Sequence, residues 1–128
     1  MRATPHVLVV EDNFDICLVV KEYLSEAGYR VSIALSGCEM RRVIKKSAVD
    51  VVLLDLILPK EDGLALARSL RAEHPGLGII IMTGADKPID QMAGEIGADD
   101  WLAKPFRLCE LLPRIESARG RTDDMAQS

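Results

Sequence analysis

The chain has 128 residues, with 16 Lys and Arg against 20 Asp and Glu and a formal net charge of −4. That length suits one domain with its own core, and the composition excludes a collagen, a disulfide scaffold and low-complexity disorder. The acidic balance argues against nucleic-acid binding by this domain alone. Three widely spaced cysteines without a CxxC motif argue for a reducing compartment, and no apolar run approaches the roughly 18 residues of a membrane span. We therefore expect a cytoplasmic protein.

Short apolar runs alternate five times with helical patterns along the chain. The runs predict strands at Val7–Val10, Val31–Leu35, Val51–Leu54, Ile79–Met82 and Trp101–Ala103. Apolar residues at three- and four-residue steps predict helices over residues 16–27, 36–44, 63–70, 89–96 and 108–115. Such alternation implies parallel strands with right-handed crossovers. The sequence therefore predicts an α/β fold, a flavodoxin-like doubly wound (βα)5 domain with a parallel five-stranded sheet of order 2-1-3-4-5.

Polar side chains follow four of the predicted strands. They are Glu11 and Asp12 after strand one, Asp55 after strand three, Thr83 after strand four and Lys104 after strand five. In the predicted order these four strands are neighbours, so the side chains should converge in one crevice at the carboxyl ends. Carboxylates without His or Cys form a hard oxygen site that suits Mg²⁺. With a lysine and a hydroxyl beside them, they suit phosphoryl transfer onto an aspartate.

Each of these residues also has a purely structural interpretation. An acidic pair after a strand is usually a helix N-terminal signal. A threonine there is often a cap or turn residue, and a Lys-Pro pair is usually a loop. Asp55 fits such an interpretation least well, because a carboxylate inside the apolar run of residues 51–58 is costly without a partner. The conjunction at four strand ends favours a functional site.

Taken together, these motifs resemble the receiver domain of two-component response regulators. They are Glu11-Asp12, Asp55-Leu-Ile-Leu-Pro59 with Asp62-Gly63, Thr83-Gly84, and the run from Gly97 to Phe106. The resemblance covers residues 5–118 and leaves 119–128 as a polar C-terminal tail or the start of a linker. The segment around Trp101 is similar to the branch whose output domains are winged-helix DNA-binding domains, so the chain is expected to be the receiver part of a transcriptional regulator or a stand-alone receiver.

The resemblance implies a phosphorylation-dependent signalling switch rather than an enzyme, with only self-catalysed phosphorylation and dephosphorylation. Asp55 would accept a phosphoryl group from a sensor histidine kinase or a phosphotransfer protein in a Mg²⁺-dependent reaction. Glu11, Asp12, Asp55 and the backbone carbonyl of Ile57 would hold the ion. Lys104 would contact the phosphoryl group.

The resemblance also implies roles beyond the acidic cluster. Thr83 would move toward the phosphoryl oxygen, and Trp101 occupies the switch position where the family usually has Tyr or Phe. The peptide bond between Lys104 and Pro105 would be cis. The surface of the first helix would dock the kinase, through residues that include Asp15, Leu18 and Glu22.

Two further features, besides Trp101, depart from the family pattern. Pro113 falls inside the last helical pattern, and we expect it to kink that helix or delay its start. Receivers of this branch often form a homodimer through the α4-β5-α5 face of helix four, strand five and helix five. Four charged residues fit that pattern, Asp99, Asp100, Glu110 and Arg114. However, helix four carries Asp90 and Gln91 where a basic residue is expected, which weakens the dimer prediction.

Four other functions compete with the switch. A Mg²⁺-dependent hydrolase with an aspartyl nucleophile usually needs a general acid two residues after Asp55, where this chain has Ile57. Nucleotide hydrolysis and flavodoxin-type cofactor binding lack their phosphate loops. A receiver fold that has lost phosphorylation is disfavoured by the intact acidic set, Thr83 and Lys104.

Overall fold

The computed structural model describes residues 4–84 and 94–127, with side chains described up to residue 120. Its central sheet has five strands, β1 (His6–Val10), β2 (Arg30–Ala34), β3 (Val51–Asp55), β4 (Gly78–Thr83) and β5 (Asp100–Ala103). The strands are parallel and lie in the order β2-β1-β3-β4-β5. The predicted fold class and strand order are confirmed.

Helices cover both faces of this sheet. They are α1 (Phe14–Glu26), α2 (Gly37–Lys46), α3 (Gly63–Glu73) and a C-terminal helix (Leu111–Gln127) that follows a 3-10 turn (Leu108–Glu110). Residues 94–96 are helical, and the rest of the predicted fourth helix lies outside the described residues. Gly97 follows with φ 82°, the left-handed conformation that commonly ends a helix.

The strands are apolar throughout because each face of the sheet packs on helices. Alternate strand residues such as Leu8, Val52 and Ile79 pack toward α2 and α3. The intervening residues, such as Val9 and Leu53, pack toward α1 and the C-terminal helix. The core thus forms two layers that hold the sheet rigidly, and with it the ends of the strands.

Side-chain caps fix where three helices begin. Asn13 accepts a hydrogen bond from the Ile16 amide at 3.1 Å, and Asp62 caps α3 in the same way. Ser36 caps α2 by accepting from the Glu39 amide at 3.3 Å. Helices α1 and α3 therefore begin at the edge of the sheet where β1 and β3 end.

Pro113 lies near the start of the last helix, which begins later than the sequence predicts. The α-helix begins at Leu111, so Pro113 lies in the first turn, where amide groups have no partner within the helix. The helix continues to Gln127, although the segment from residue 119 was predicted to be a polar tail or linker. A single glycine, Gly120, costs only about 1 kcal/mol in a helix and does not end it.

Within the described residues, no helix is both long enough and apolar enough to cross a membrane.

Candidate functional site

Three carboxylates converge where β1 and β3 end, at what is here called the carboxyl edge of the sheet. Glu11 follows β1 and is fully buried, and Asp55 is the last residue of β3 and only 3% exposed. Asp12 is exposed beside them. One oxygen from each of Glu11, Asp12 and Asp55 lies within 4.8 Å of the others. Carboxylates this close repel one another unless a cation lies between them.

Lys104 brings a positive charge to these carboxylates from the end of β5. It follows β5, and its amide donates to the Thr83 carbonyl at 2.9 Å. Its ammonium group donates to Asp55 Oδ2 at 2.8 Å and to Glu11 Oε1. The peptide bond between Lys104 and Pro105 is cis. Lys104 therefore bridges two of the buried carboxylates.

The electrostatics of this edge are not balanced by Lys104 alone. The pKa of Glu11 is raised to about 7, mainly by burial and also by its hydrogen bond with Asp55, while Lys104 opposes the change. Burial would lower the pKa of Lys104, but its hydrogen bonds to Asp55 and Glu11 outweigh burial and raise it. Glu11 Oε2 is buried without a hydrogen-bond partner among the described residues. This oxygen and the uncompensated negative charge of the carboxylates could therefore bind a cation.

Backbone groups orient the Asp55 carboxylate. Asp55 Oδ1 accepts from the Ile57 amide at 2.9 Å, while the Leu56 amide donates to the Met82 carbonyl at 3.1 Å. Ile57 opens a short antiparallel hairpin, in which residues 57–58 pair with residues 61–62. Its side chain is 56% exposed, so only its backbone is available to the site.

Thr83 and Trp101 lie on adjacent strands and on the same face of the sheet. Thr83 ends β4, is buried, and pairs with Ala103. Trp101 pairs with Ile81 two residues earlier, so the pleat turns Trp101 to the face that Thr83 occupies. The indole is half-buried against the core layer of α2 and α3. The structure therefore groups Glu11, Asp12, Asp55, Thr83 and Lys104 at one edge, with Trp101 further down β5.

The comparison with known families agrees with this geometry. The response regulator receiver domain family matches residues 7–116. This chain belongs to that family. It is a receiver domain of the kind found in two-component response regulators, and the resemblance inferred from the sequence is confirmed.

The curated relatives of this receiver are about twice its length. It is 40% identical over 119 residues to the TorCAD operon transcriptional regulatory protein TorR of Escherichia coli (strain K12), covering 92% of this chain and 51% of TorR. It is 38% identical over 120 residues to the aerobic respiration control protein ArcA of the same strain, covering 93% and 50%. The chain thus spans about half the length of the curated relatives it matches.

Solved receivers share its architecture. A CheY-like response regulator receiver domain protein from Methanospirillum hungatei JF-1 superposes with a TM-score of 0.88 at 26% sequence identity. The match covers 96% of this chain and 99% of that one. The agreement over nearly the full length of both chains shows that they share the same fold.

Beside the acidic cluster, this receiver has an apolar groove that the sequence only half revealed. Its volume is about 580 Å³, and its apolar lining comes from α1 and the segment after β5, namely Ile16, Val19, Val20, Pro105, Phe106 and Leu108. Lys104 and Asp15 also border it. Of the three α1 residues expected to dock the kinase, Asp15 borders the groove, whereas Leu18 and Glu22 are not among its lining residues. The second side depends on a contact between segments about 90 residues apart, for which the sequence has no local signal.

The four charged residues that suggested a dimer interact within the chain. Arg71 pairs with Asp99 at 2.8 Å, and Arg114 lies 3.5 Å from Asp100. Glu110 accepts from the Arg107 amide at 2.8 Å. Asp90 and Gln91 lie outside the described residues. The homodimer stays a prediction, with its charged residues already engaged inside one receiver.

Proposed function

We propose that this receiver is a switch in which Asp55 accepts a phosphoryl group from a phosphohistidine of a histidine kinase or a phosphotransfer protein. The observation that carries the proposal is the environment of Asp55. Asp55 is only 3% exposed, and its carboxylate accepts a hydrogen bond from Lys104 and is grouped with two further carboxylates. Burying such a cluster is costly, and phosphoryl transfer provides a reason for that cost.

The residues fit a bound Mg²⁺. Glu11, Asp12, Asp55 and the backbone carbonyl of Ile57 would hold it, since Mg²⁺ prefers a few carboxylates together with water and phosphate oxygens. The unpartnered Oε2 of buried Glu11 supports this fit. When bound, the ion would offset charge on the oxygens of the transferred group.

The side chains divide the remaining work. A carboxylate oxygen of Asp55 forms the new O–P bond as the N–P bond of the donor breaks, and the electron pair of that bond returns to the donor imidazole. The Ile57 amide holds one Asp55 oxygen in place. The Lys104 ammonium, already at the carboxylate, neutralises charge on the incoming group.

The readout of phosphorylation starts at Thr83. Its hydroxyl donates to a phosphoryl oxygen once Asp55 is modified, and the half-buried Trp101 repacks on the same face of the sheet. The receiver then shifts its population toward a second arrangement of that face. As in the family at large, it is a phosphoacceptor and not a metabolic enzyme.

The groove beside α1 is the proposed docking surface for the phosphodonor. Phe14, Leu18 and Val19 on α1 are about half exposed, and Val19 lines the groove together with Lys104. A protein donor that covers these apolar side chains would bring its phosphohistidine next to Asp55. Val19→Glu should slow transfer from a histidine phosphotransfer domain of the same organism by at least tenfold, while phosphorylation by acetyl phosphate stays unchanged.

The output domain, the domain boundaries, the oligomeric state and the cellular location of the receiver stay predictions. We propose from TorR, a transcriptional regulatory protein, that the receiver acts with a DNA-binding output domain, and a stand-alone receiver is the alternative. The receiver boundaries at residues 5–118, the homodimer and the cytoplasmic location are proposed on the same footing.

The test of the proposal is phosphorylation by acetyl phosphate with Mg²⁺. Intact mass should show one phosphate-sized gain in the parent and none in Asp55→Asn. Asp15→Asn, an exposed aspartate on α1, is the matched control and should gain as the parent does. Fluorescence of Trp101, the only tryptophan, should change with the mass gain. A parent that gains no phosphate would overturn the proposal.

A further inference from the structure

The hairpin that opens with Ile57 is too short to hold its own shape. Only two residue pairs join its arms, Ile57 with Asp62 and Leu58 with Glu61, and even longer isolated hairpins are marginal in water. Its tip adds strain, because Lys60 adopts φ 62°, in the left-handed region, which costs a residue other than glycine about 1–2 kcal/mol. Contacts outside the hairpin must therefore hold it.

One such contact fastens the hairpin to the first residue of α2. Both carboxylate oxygens of Glu61 lie 3.0 Å from the Gly37 amide nitrogen and accept from it. Gly37 is the first residue of α2, where its amide has no partner within the helix and where the helix dipole favours a negative charge. A charge-assisted hydrogen bond of this kind is stronger than a neutral one.

The backbone packs closely at two glycines near this contact, Gly37 and Gly63, where a side chain would clash. A Cβ on Gly37 would lie 2.5 Å from Glu61 Oε1 and 3.0 Å from a methyl of Leu66. A Cβ on Gly63 would lie 1.9 Å from the Leu56 carbonyl oxygen. Glycine at both positions lets α2 and α3 close on the two ends of the segment from Leu56 to Glu61.

We infer that Glu61 is a positioning residue for the metal site. By fastening the hairpin to α2, it holds the backbone at Ile57 in place next to Asp55, so that little conformational freedom is lost when Mg²⁺ binds. This inference rests on the proposed function, because it takes the Ile57 carbonyl as a ligand. It assigns to Glu61, a residue that does not touch the ion, a share of the Mg²⁺ affinity.

Calorimetric titration with Mg²⁺ tests the inference directly. Glu61→Ala should weaken Mg²⁺ binding roughly three- to tenfold, the range expected for the loss of one charge-assisted hydrogen bond. Glu61→Gln should recover most of the affinity, since its amide oxygen also accepts from Gly37. Gly37→Ala, which pushes Glu61 away while leaving it intact, should weaken binding as Glu61→Ala does. Amide exchange at Gly37 should speed up in Glu61→Ala.

Glu39→Ala is the matched control. Glu39 also lies at the start of α2, but it accepts from the Leu35 amide at 3.0 Å and does not reach the hairpin. Its loss should lower the urea midpoint in EDTA about as much as Glu61→Ala does, while Mg²⁺ affinity stays within twofold of the parent. A merely structural role for Glu61 would give the same affinity in both variants.

Two outcomes separate the inference from the proposed function. If the parent binds Mg²⁺ and Glu61→Ala binds it equally well, Glu61 does not position the site, and the proposed function stands. If the parent itself binds no Mg²⁺ at millimolar concentration, the proposed metal site is wrong and the inference fails with it.

Discussion

Both edges of the central sheet contain buried polar side chains, but these side chains are fully hydrogen-bonded only at one of the two edges. At the amino edge, where the strands begin, His6 is 1% exposed and fully bonded. Its Nδ1 lies 3.0 Å from the Ala48 carbonyl oxygen, and its Nε2 lies 2.7 Å from the Ser32 hydroxyl. Its backbone amide donates to Asp50 at 2.8 Å. Every polar atom of this histidine has a partner within the chain.

Arg71 and Asp99 continue the same design along the amino edge. Arg71 donates to Asp99, and also to the carbonyls of Gly97 and Leu77 at 2.8 and 2.7 Å. Asp99 in turn accepts from the Ile79 amide at 2.8 Å. The pair joins the end of α3 to the starts of β4 and β5.

At the carboxyl edge, the hydrogen bonds and ion pairs do not satisfy all the buried polar groups of the described residues. Glu11, Asp12 and Asp55 crowd together with one lysine between two of them, and Glu11 keeps an oxygen without a partner among the described residues. Polar groups that are costly to bury persist where function requires them, and strongly shifted pKa values accompany such sites. The contrast teaches that the amino edge stabilises the receiver, whereas the carboxyl edge reduces its stability in exchange for reactivity.

The largest effect should come from breaking the amino edge. Arg71→Ala removes an ion pair whose side chains are 13% and 15% exposed, and it leaves the charge of Asp99 poorly compensated. We expect a loss of about 3 kcal/mol in the free energy of unfolding, measured by urea titration. Arg68→Ala, which breaks an exposed 3.7 Å pair with Glu95, should cost less than about 0.5 kcal/mol.

Phosphorylation by acetyl phosphate should be unaffected in Arg71→Ala once the protein is folded. An Arg71→Ala protein as stable as the parent would refute the view that the amino edge is the stabilising one.

The next largest effect on the free energy of unfolding should come from the ionisation of Glu11 as the pH rises. Its pKa of about 7 in the folded receiver lies above its ordinary value of 4.5, so the folded state binds the proton more tightly than the unfolded state. This contribution to stability is present below about pH 4.5 and is lost as the pH rises to about 7. In EDTA, Glu11→Gln should gain up to about 3 kcal/mol over the parent across that window.

Glu22→Gln, an exposed glutamate on α1, is the control and should follow the parent at every pH. If the stability of Glu11→Gln also followed that of the parent at every pH, the ionised Glu11 would not destabilise the folded receiver.

A smaller effect should come from adding the cation. Mg²⁺ binds only the folded receiver and compensates its carboxylates, so at ten times its dissociation constant it should stabilise the protein by about 1.4 kcal/mol. Asp50→Asn, at the amino edge, should keep this gain. Asp12→Asn should lose much of it. An equal gain in all three proteins would place the ion elsewhere.

The sequence was most informative where position along a strand decides the outcome. Glu11, Asp55, Thr83 and Lys104 each follow an apolar run, and parallel strands bring such ends to one edge whatever the loops do. The order of the strands was predicted from the alternation of strands and helices, and the grouping of these side chains followed from that order. The role of Trp101 in switching is still a prediction, since it concerns a second conformation.

Contacts between distant segments could not be predicted in the same way. Asp99 and Asp100 have the charges of a dimer interface, yet they pair with Arg71 and Arg114 of their own chain. The bond from Gly37 to Glu61 spans 24 residues, and no periodicity announces it. Such pairs depend on how helices pack on the sheet, which local patterns do not encode.

The smallest effect concerns Cys17, which lies under the carboxyl edge and donates to the Glu11 carbonyl at 3.3 Å. The pKa of its thiol is raised to about 11, mainly by burial and also by the charges of Glu11 and Asp12. Because the thiolate is the reactive form, a thiol reagent at pH 8 should modify exposed Cys38 and Cys109 within minutes. The third thiol should react only on unfolding in urea. Fast modification of all three would mean that the carboxyl edge opens readily to solvent, so that the burial of its carboxylates imposes little cost.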